Sequence, residues 1–230
     1  MIQINRLTKT YGRARGVTDL TLHVPGGGCF GFIGPNGAGK STTIRTLLGL
    51  ISPTAGSAKV LGLDCVKDRT AILAQVGYMP SEAMFYPEMR VSEVIRLSAD
   101  LRKRDCGQEA KALCEALDLD GRKKIRELSL GNRKKVSIVC AMQHRPALYI
   151  LDEPTSGLDP LVQRAFWSEL EQRKREGAAV FLSSHVLYEV QRYCDRAAII
   201  REGRLVVEGT TEELDIENKF FDYYEGRTGK

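Results

Sequence analysis

The sequence predicts an α/β fold: a mainly parallel sheet, an antiparallel edge subdomain and an inserted helical subdomain. Three observations predict it. Short apolar runs at 29–33, 147–151 and 178–182 read as buried strands, and each leads through a turn into a helical pattern. Strands alternating with helices imply a parallel sheet with ligands at the carboxyl ends of its strands. From 81 to 145 the strand signal disappears and helical periodicity replaces it.

Taken in order, Ile2 and Ile4 alternate with polar neighbours, and Leu20, Leu22 and Val24 alternate again, so both segments read as edge strands. Gly26-Gly27-Gly28 turns the chain into Cys29-Phe30-Gly31-Phe32-Ile33. Ile44, Leu47 and Leu48 share one face of a helix over 43–50, and Pro53 and Gly56 then break the chain. Short strands follow at 58–61 and 76–79, the second stopped by Pro80. In the insertion, Val91, Val94, Ile95 and Leu101 mark one helix, and Ala110, Leu113, Cys114 and Leu117 a second. A third starts near Asn132 and carries Val136, Val139 and Cys140 on one side. The run at 147–151 ends in Asp152-Glu153-Pro154, a helix covers 161–175, and the run at 178–182 ends in Ser183-Ser184-His185. After one more helix, strands at 197–200 and 204–207 flank the Glu202-Gly203 turn. Residues 1–80 and 146–214 are thus the α/β core of one domain, 81–145 its helical insertion and 215–230 a short tail.

Bulk properties narrow the function. A 230-residue chain with 43% hydrophobic residues supports a sizeable core. No apolar run approaches the roughly 20 residues of a membrane helix, and the start lacks the apolar block of a signal peptide, so the chain is not expected to cross a membrane by itself. A net charge of +5 suits an anionic nucleotide or a lipid headgroup surface and is too weak to argue for nucleic acid. Six scattered cysteines without a C-x-x-C pair suit a reducing cytosol, and the three distant histidines give no metal spacing.

The chemistry is concentrated in a few stretches. Gly34-Pro35-Asn36-Gly37-Ala38-Gly39-Lys40-Ser41-Thr42 fits G-x-x-x-x-G-K-[ST], the phosphate loop, between a buried strand and a helix. Its backbone N–H groups and the positive end of the helix dipole favour phosphate. Lys40 is placed to reach the β- and γ-phosphates and the Ser41 hydroxyl to ligate Mg²⁺. Asp152, at a strand end, has the position of an acidic residue that holds Mg²⁺ in phosphate-loop proteins, and Glu153 beside it is a candidate for polarising the attacking water. Lys40, Asp152 and His185 all follow strands, so one sheet edge can gather them; His185 is then a γ-phosphate contact or a helix-capping imidazole.

Leu128-Ser129-Leu130-Gly131-Asn132 resembles the signature motif of ATP-binding cassette (ABC) proteins. The set formed with the phosphate loop, Leu151-Asp152-Glu153-Pro154, the Ser156-Gly157-Leu158-Asp159 turn and Ser183-Ser184-His185 matches that family in order and spacing, from Ile2 to about Leu214. The stretches Phe30 to Lys40 and Ser184 to Val190 look most similar to the bacterial exporter-type branch, which includes drug and antibiotic efflux ATPases. The resemblance implies an ATP hydrolase that uses Mg²⁺, works as a head-to-tail dimer with a second copy or a homologous ATPase subunit, and powers separate transmembrane permease subunits from the cytoplasmic, inner face of the cell membrane. It implies that Tyr11 stacks on adenine, that Gly34, Pro35, Asn36, Gly37, Ala38, Gly39, Lys40, Ser41 and Thr42 hold phosphates and Mg²⁺, that Ser129 and Gly131 reach ATP on the opposite subunit, and that Asp159 links the two sites.

The sequence departs from the family pattern at Leu130, where Gly is common, at Asn132, where Gln is common, and in Pro80-Ser81-Glu82, where the usual Gln or Glu is replaced by Ser81. Glu82, one place later, has both an oxygen and a stem, so Glu82 rather than Ser81 is expected to reach the metal. Met84, Phe85, Tyr86 and Met89 next to it read either as core packing or as a groove for a cytoplasmic helix of a membrane subunit. The competing function is a soluble ABC-type ATPase acting on DNA or ribosomes; a compact insertion and a single cassette count against it. A small GTPase or kinase leaves the signature stretch unexplained, and Asp118-Leu119-Asp120-Gly121 without an N-K-x-D motif is a chance D-x-x-G.

Overall fold

The computed structural model describes residues 1–12, 14–82 and 84–225. Residues 226–230 of the expected tail lie outside this set. Along the chain run β1 (Ile2–Tyr11), β2 (Ala14–Val24), β3 (Cys29–Ile33), α1 (Lys40–Leu47), β4 (Ala55–Val60), β5 (Leu63–Asp64), α2 (Arg69–Gln75) and β6 (Val76–Met79). The helices α3 (Val91–Asp100), α4 (Gly107–Ala116) and α5 (Leu130–Met142) follow. The chain then forms β7 (Leu148–Asp152), α6 (Pro160–Arg175), β8 (Ala179–Ser184), α7 (Leu187–Tyr193), β9 (Arg196–Arg201), β10 (Arg204–Thr210), α8 (Thr211–Leu214) and α9 (Ile216–Glu225).

Two sheets organise these elements. The larger has the order β10-β9-β3-β8-β7-β6, parallel from β9 to β6 with β10 antiparallel at one edge. The smaller is antiparallel, β2-β1-β4-β5. β1 is therefore an interior strand and only β2 an edge, which corrects the reading of both as edge strands. The alternation of Ile2 and Ile4 reports one buried face, a property that interior and edge strands share.

The period of two in each parallel strand divides the core. Phe30 and Phe32 of β3, with Leu148 and Ile150 of β7, pack against Ile44 and Leu47 of α1, Leu48 at its end and the antiparallel sheet. Cys29, Ile33, Tyr149 and Leu151 face the other way, against Val136 and Val139 of α5 and Phe166 and Leu170 of α6. Helix α1 is thus enclosed between the two sheets, and the phosphate loop that precedes it is anchored at both ends. Helix starts follow local capping chemistry. Ser129 accepts from the Asn132 N–H (3.3 Å), which starts α5 at Leu130, two residues before the expected point. Asp159 accepts from the Leu161 and Val162 N–H groups, with Pro160 in the first turn of α6.

Candidate nucleotide site

Parallel register brings the candidate stretches together. Ile33 of β3 lies opposite Ser184 of β8, and Ser183 lies opposite Asp152 of β7, so the chain leaves three adjacent strands at Gly34, His185 and Glu153. The expected gathering of Lys40, Asp152 and His185 on one sheet edge follows from this register. The cavity there measures about 330 Å³ and is bounded by residues 35–37 and 39–42 with Ser81 and Glu153.

The loop reaches its shape through glycine. Gly39 has φ 107°, a region open to a residue without Cβ, and a Cβ at this position would also lie 3.1 Å from the Gly16 carbonyl. The Gly203 N–H donates to the Ala38 carbonyl (2.9 Å), and the Thr18 N–H donates to the Gly203 carbonyl (2.8 Å), so β2 and the β9–β10 turn brace the loop from outside. Lys40 is buried; its Nζ donates to the Gly34 carbonyl (2.6 Å) and the Pro35 carbonyl (3.3 Å) and pairs with Glu153 Oε1 at 3.2 Å. Its ammonium is thereby fixed where phosphate oxygens would meet it.

Glu153 has φ 52°, a left-handed conformation that a residue with a Cβ adopts only when its surroundings impose it. One carboxylate oxygen meets Lys40. The other accepts from His185 Nδ1–H at 2.5 Å, since an ionised carboxylate can only accept. Two neighbours hold the same turn: Lys134 Nζ donates to the carbonyls of Glu153 (2.5 Å) and Ser156 (2.9 Å), and the Thr155 hydroxyl donates to Glu189 Oε2 (2.9 Å). Asp152 is fully buried and accepts from the Ser183 hydroxyl at 2.5 Å. Burial pushes the Glu189 carboxyl up from its ordinary range, opposed by the hydroxyls of Thr155 and Ser184.

The remaining expected residues fall into three places. Ser81 lines the phosphate cavity, whereas Glu82 is exposed and does not line it. As the chain leaves β6, residue 81 borders the cavity and residue 82 faces solvent. Tyr11, at the end of β1, is half exposed, with Lys9 Nζ 5.2 Å from its ring centroid. Ser129 and Gly131 lie with Gly157 and Asp159 around a separate cavity of about 620 Å³ that shares no lining residue with the first. The apolar group after the cavity lines a groove of about 460 Å³ with Leu97 of α3 and Leu101 just past its end; within it Phe85 and Met89 also pack against the core, while Met84 and Tyr86 are exposed. Sequence reading assigned no role to Ser183 and Glu189, although both lie in stretches it singled out, and it missed Lys134, which acts only through the fold.

Among the described residues, no helix is long and apolar enough to cross a membrane. A family model described as ABC transporter matches residues 17–156. The probable multidrug ABC transporter ATP-binding protein YbhF of Escherichia coli (strain K12) is 34% identical over 219 residues, covering 93% of this chain and 38% of that protein. The bacitracin transport ATP-binding protein BcrA of Bacillus licheniformis is 36% identical over 229 residues, 95% of this chain and 72% of that one. A solved structure of the ATP binding subunit of an ABC transporter matches with a TM-score of 0.86 at 32% identity, covering 96% of this chain and 93% of the other. The chain thus spans well under half of YbhF and nearly three-quarters of BcrA. A family match over more than half of the chain, joined to this fold and to relatives of this identity, shows that the chain belongs to the ABC transporter family, as its nucleotide-binding ATPase domain.

Proposed function

We propose that the chain is the ATP-hydrolysing subunit of an exporter, working as a head-to-tail dimer beneath transmembrane permease subunits at the cytoplasmic face of the membrane. The observation that carries this reading is the Glu153 carboxylate, held between Lys40 and His185 on the wall of the phosphate cavity. Phosphoryl transfer needs charge neutralisation and an in-line nucleophile, and little else from a protein. The N–H groups of residues 37–42 and the Lys40 ammonium bind the phosphates. The Glu153 carboxylate accepts a hydrogen bond from the attacking water and orients it, and His185 fixes the carboxylate's direction.

The donors present fit Mg²⁺. Ser41 and Asp152 offer hard oxygens beside the phosphate loop, and no group of three or more His, Cys, Asp or Glu forms a metal cage among the described residues. Mg²⁺ in such sites takes one or two protein oxygens and the substrate's phosphates. When bound, it neutralises charge on the phosphate oxygens.

The exporter reading draws on YbhF and BcrA, named for multidrug and bacitracin transport. The groove at Met84, Tyr86, Leu97 and Leu101 supports a membrane partner, because exposed apolar surface next to a nucleotide site suits a docking helix. The separation of the Ser129 cavity from the phosphate cavity supports the dimer, since the signature loop meets a nucleotide only across an interface. The test is Glu153→Gln. ATP binding should persist, turnover should fall by at least about 100-fold, and an ATP-bound dimer should accumulate on size exclusion. Lys40→Ala should weaken ATP binding itself. Near-normal hydrolysis in Glu153→Gln would remove Glu153 from this role.

A further inference from the structure

We infer that Lys134 is a positioning residue for hydrolysis, holding the Glu153 backbone in the left-handed turn that directs its carboxylate into the phosphate cavity. The inference rests on the proposed role of Glu153. Lys134 lies on α5, one and a half turns after the signature residue Ser129, and only 4% of it is exposed. Its ammonium donates to the carbonyls of Glu153 at 2.5 Å and Ser156 at 2.9 Å, and the Ser156 N–H donates back to the Glu153 carbonyl at 3.4 Å. One buried cation therefore closes the concave side of one backbone turn.

Burying an ammonium is costly, and here no carboxylate lies within ion-pair distance of it among the described residues. Burial lowers the Lys134 pKa, and the more distant charges of Glu153, Asp152 and Glu189 oppose that. An apolar side chain would fill the space as Val136 and Val139 do elsewhere on the same helix. What an apolar side chain cannot do is satisfy two inward-facing carbonyls. On this inference those bonds maintain the left-handed backbone at Glu153 (φ 52°): without them the turn would be held only by the 3.4 Å bond from the Ser156 N–H, and the carboxylate would lose its fixed direction toward Lys40 and His185.

The opposite side of the turn is gripped by α7. The Thr155 and Ser184 hydroxyls both donate to Glu189 Oε2, at 2.9 and 3.4 Å, and Ser184 precedes His185. The catalytic carboxylate and its histidine are thus fixed by two helices, and one of these begins at the signature loop. A displacement of α5 reaches Glu153 through a single side chain.

The test uses the full chain and compares Lys134→Met, Lys134→Gln and Lys134→Arg with the unmodified protein. Steady-state ATPase kinetics, ATP affinity by titration calorimetry and thermal unfolding are measured for each. Lys134→Met should lower kcat by about 30-fold, the scale of a small misplacement of a reacting group, with KM and ATP affinity within about twofold. Lys134→Arg, which keeps the donors, should recover kcat to within about threefold, and Lys134→Gln, with one amide donor group, should fall between. A merely structural role would change unfolding and KM together and give no graded rescue. A folded Lys134→Met or Lys134→Gln with undiminished kcat overturns the inference, as does Lys134→Arg no better than Lys134→Met. Should Lys134→Met not fold, the order of Gln and Arg decides. An unmodified chain that hydrolyses ATP and loses turnover in Glu153→Gln upholds the proposed function whatever Lys134 does; an unmodified chain without turnover overturns both.

Discussion

His144 is sealed just beyond the end of α5, 4% exposed, with Nε2–H donating to the Val76 carbonyl at 3.2 Å and Nδ1 unpartnered. Burial first, and then the nearby Arg102, push its pKa down from 6.5 to about 4. The sign of the effect on stability follows from proton counts. Below pH 6.5 the unfolded chain takes up a proton that the folded chain refuses until about pH 4, so stability falls with pH across that window and levels off beneath it. The full loss amounts to about 3 kcal/mol, of which about 1 kcal/mol is felt between pH 7.5 and 5.5. His144→Gln keeps an N–H for Val76 and removes the titration. Urea unfolding at the two pH values should show a loss smaller by about 1 kcal/mol in the variant than in the parent. An identical loss in both would place the acid sensitivity elsewhere.

Helix α4 of the insertion packs on α5 and is tied to α6 of the core by charge. Glu109 accepts from Arg173, which is almost wholly buried, and from Arg145 Nε at 2.8 Å; Arg145 and Arg173 both reach Glu176, at 3.4 and 3.5 Å. Removing Glu109 takes the nearest carboxylate from both arginines and leaves the buried Arg173 with only the longer contacts to Glu169 and Glu176. Glu109→Ala should cost about 2 kcal/mol and speed amide exchange across α4 at least tenfold, with β3, β7 and β8 unchanged. Exchange in α4 that stays as slow as in the parent would show that apolar packing alone seats it. The three insertion helices were legible in the sequence because each repeats large apolar residues at helical spacing. Helix α2 was not, because it is seven residues long and fully buries only Ile72. The phosphate loop, the acidic pair and His185 were legible as linear patterns tied to strand ends. The inward turn of Ser81 and the grip of Lys134 on Glu153 were not, since nothing in a one-dimensional pattern shows which side of a strand end faces a ligand or which buried lysine finds a carbonyl 19 residues away.

At the scale of the molecule, the proposed dimer would divide the work of the two disjoint cavities between copies, which a mixing experiment examines directly. A chain carrying Lys40→Ala and a chain carrying Ser129→Arg should each be nearly inactive alone. Mixed, they form one composite site with an intact phosphate loop from the second and an intact signature from the first, so activity should return to roughly a quarter of the parent's, for a random pairing and one working site in two. Folded chains that stay silent together would argue against a shared site. The place of β3 in the large sheet has a separate consequence, for synthesis. Both of its partners, β8 and β9, lie about 150 residues or more further along the chain. The strands of the small antiparallel sheet all fall within residues 2–64 and can pair while the ribosome is still elongating. β3, which leads into the phosphate loop, has no paired strand until β8 emerges. Nucleotide can therefore stabilise a nascent chain only once residues 179–184 have been made, and until then the apolar strand 29–33 depends on chaperones or on α1 for cover.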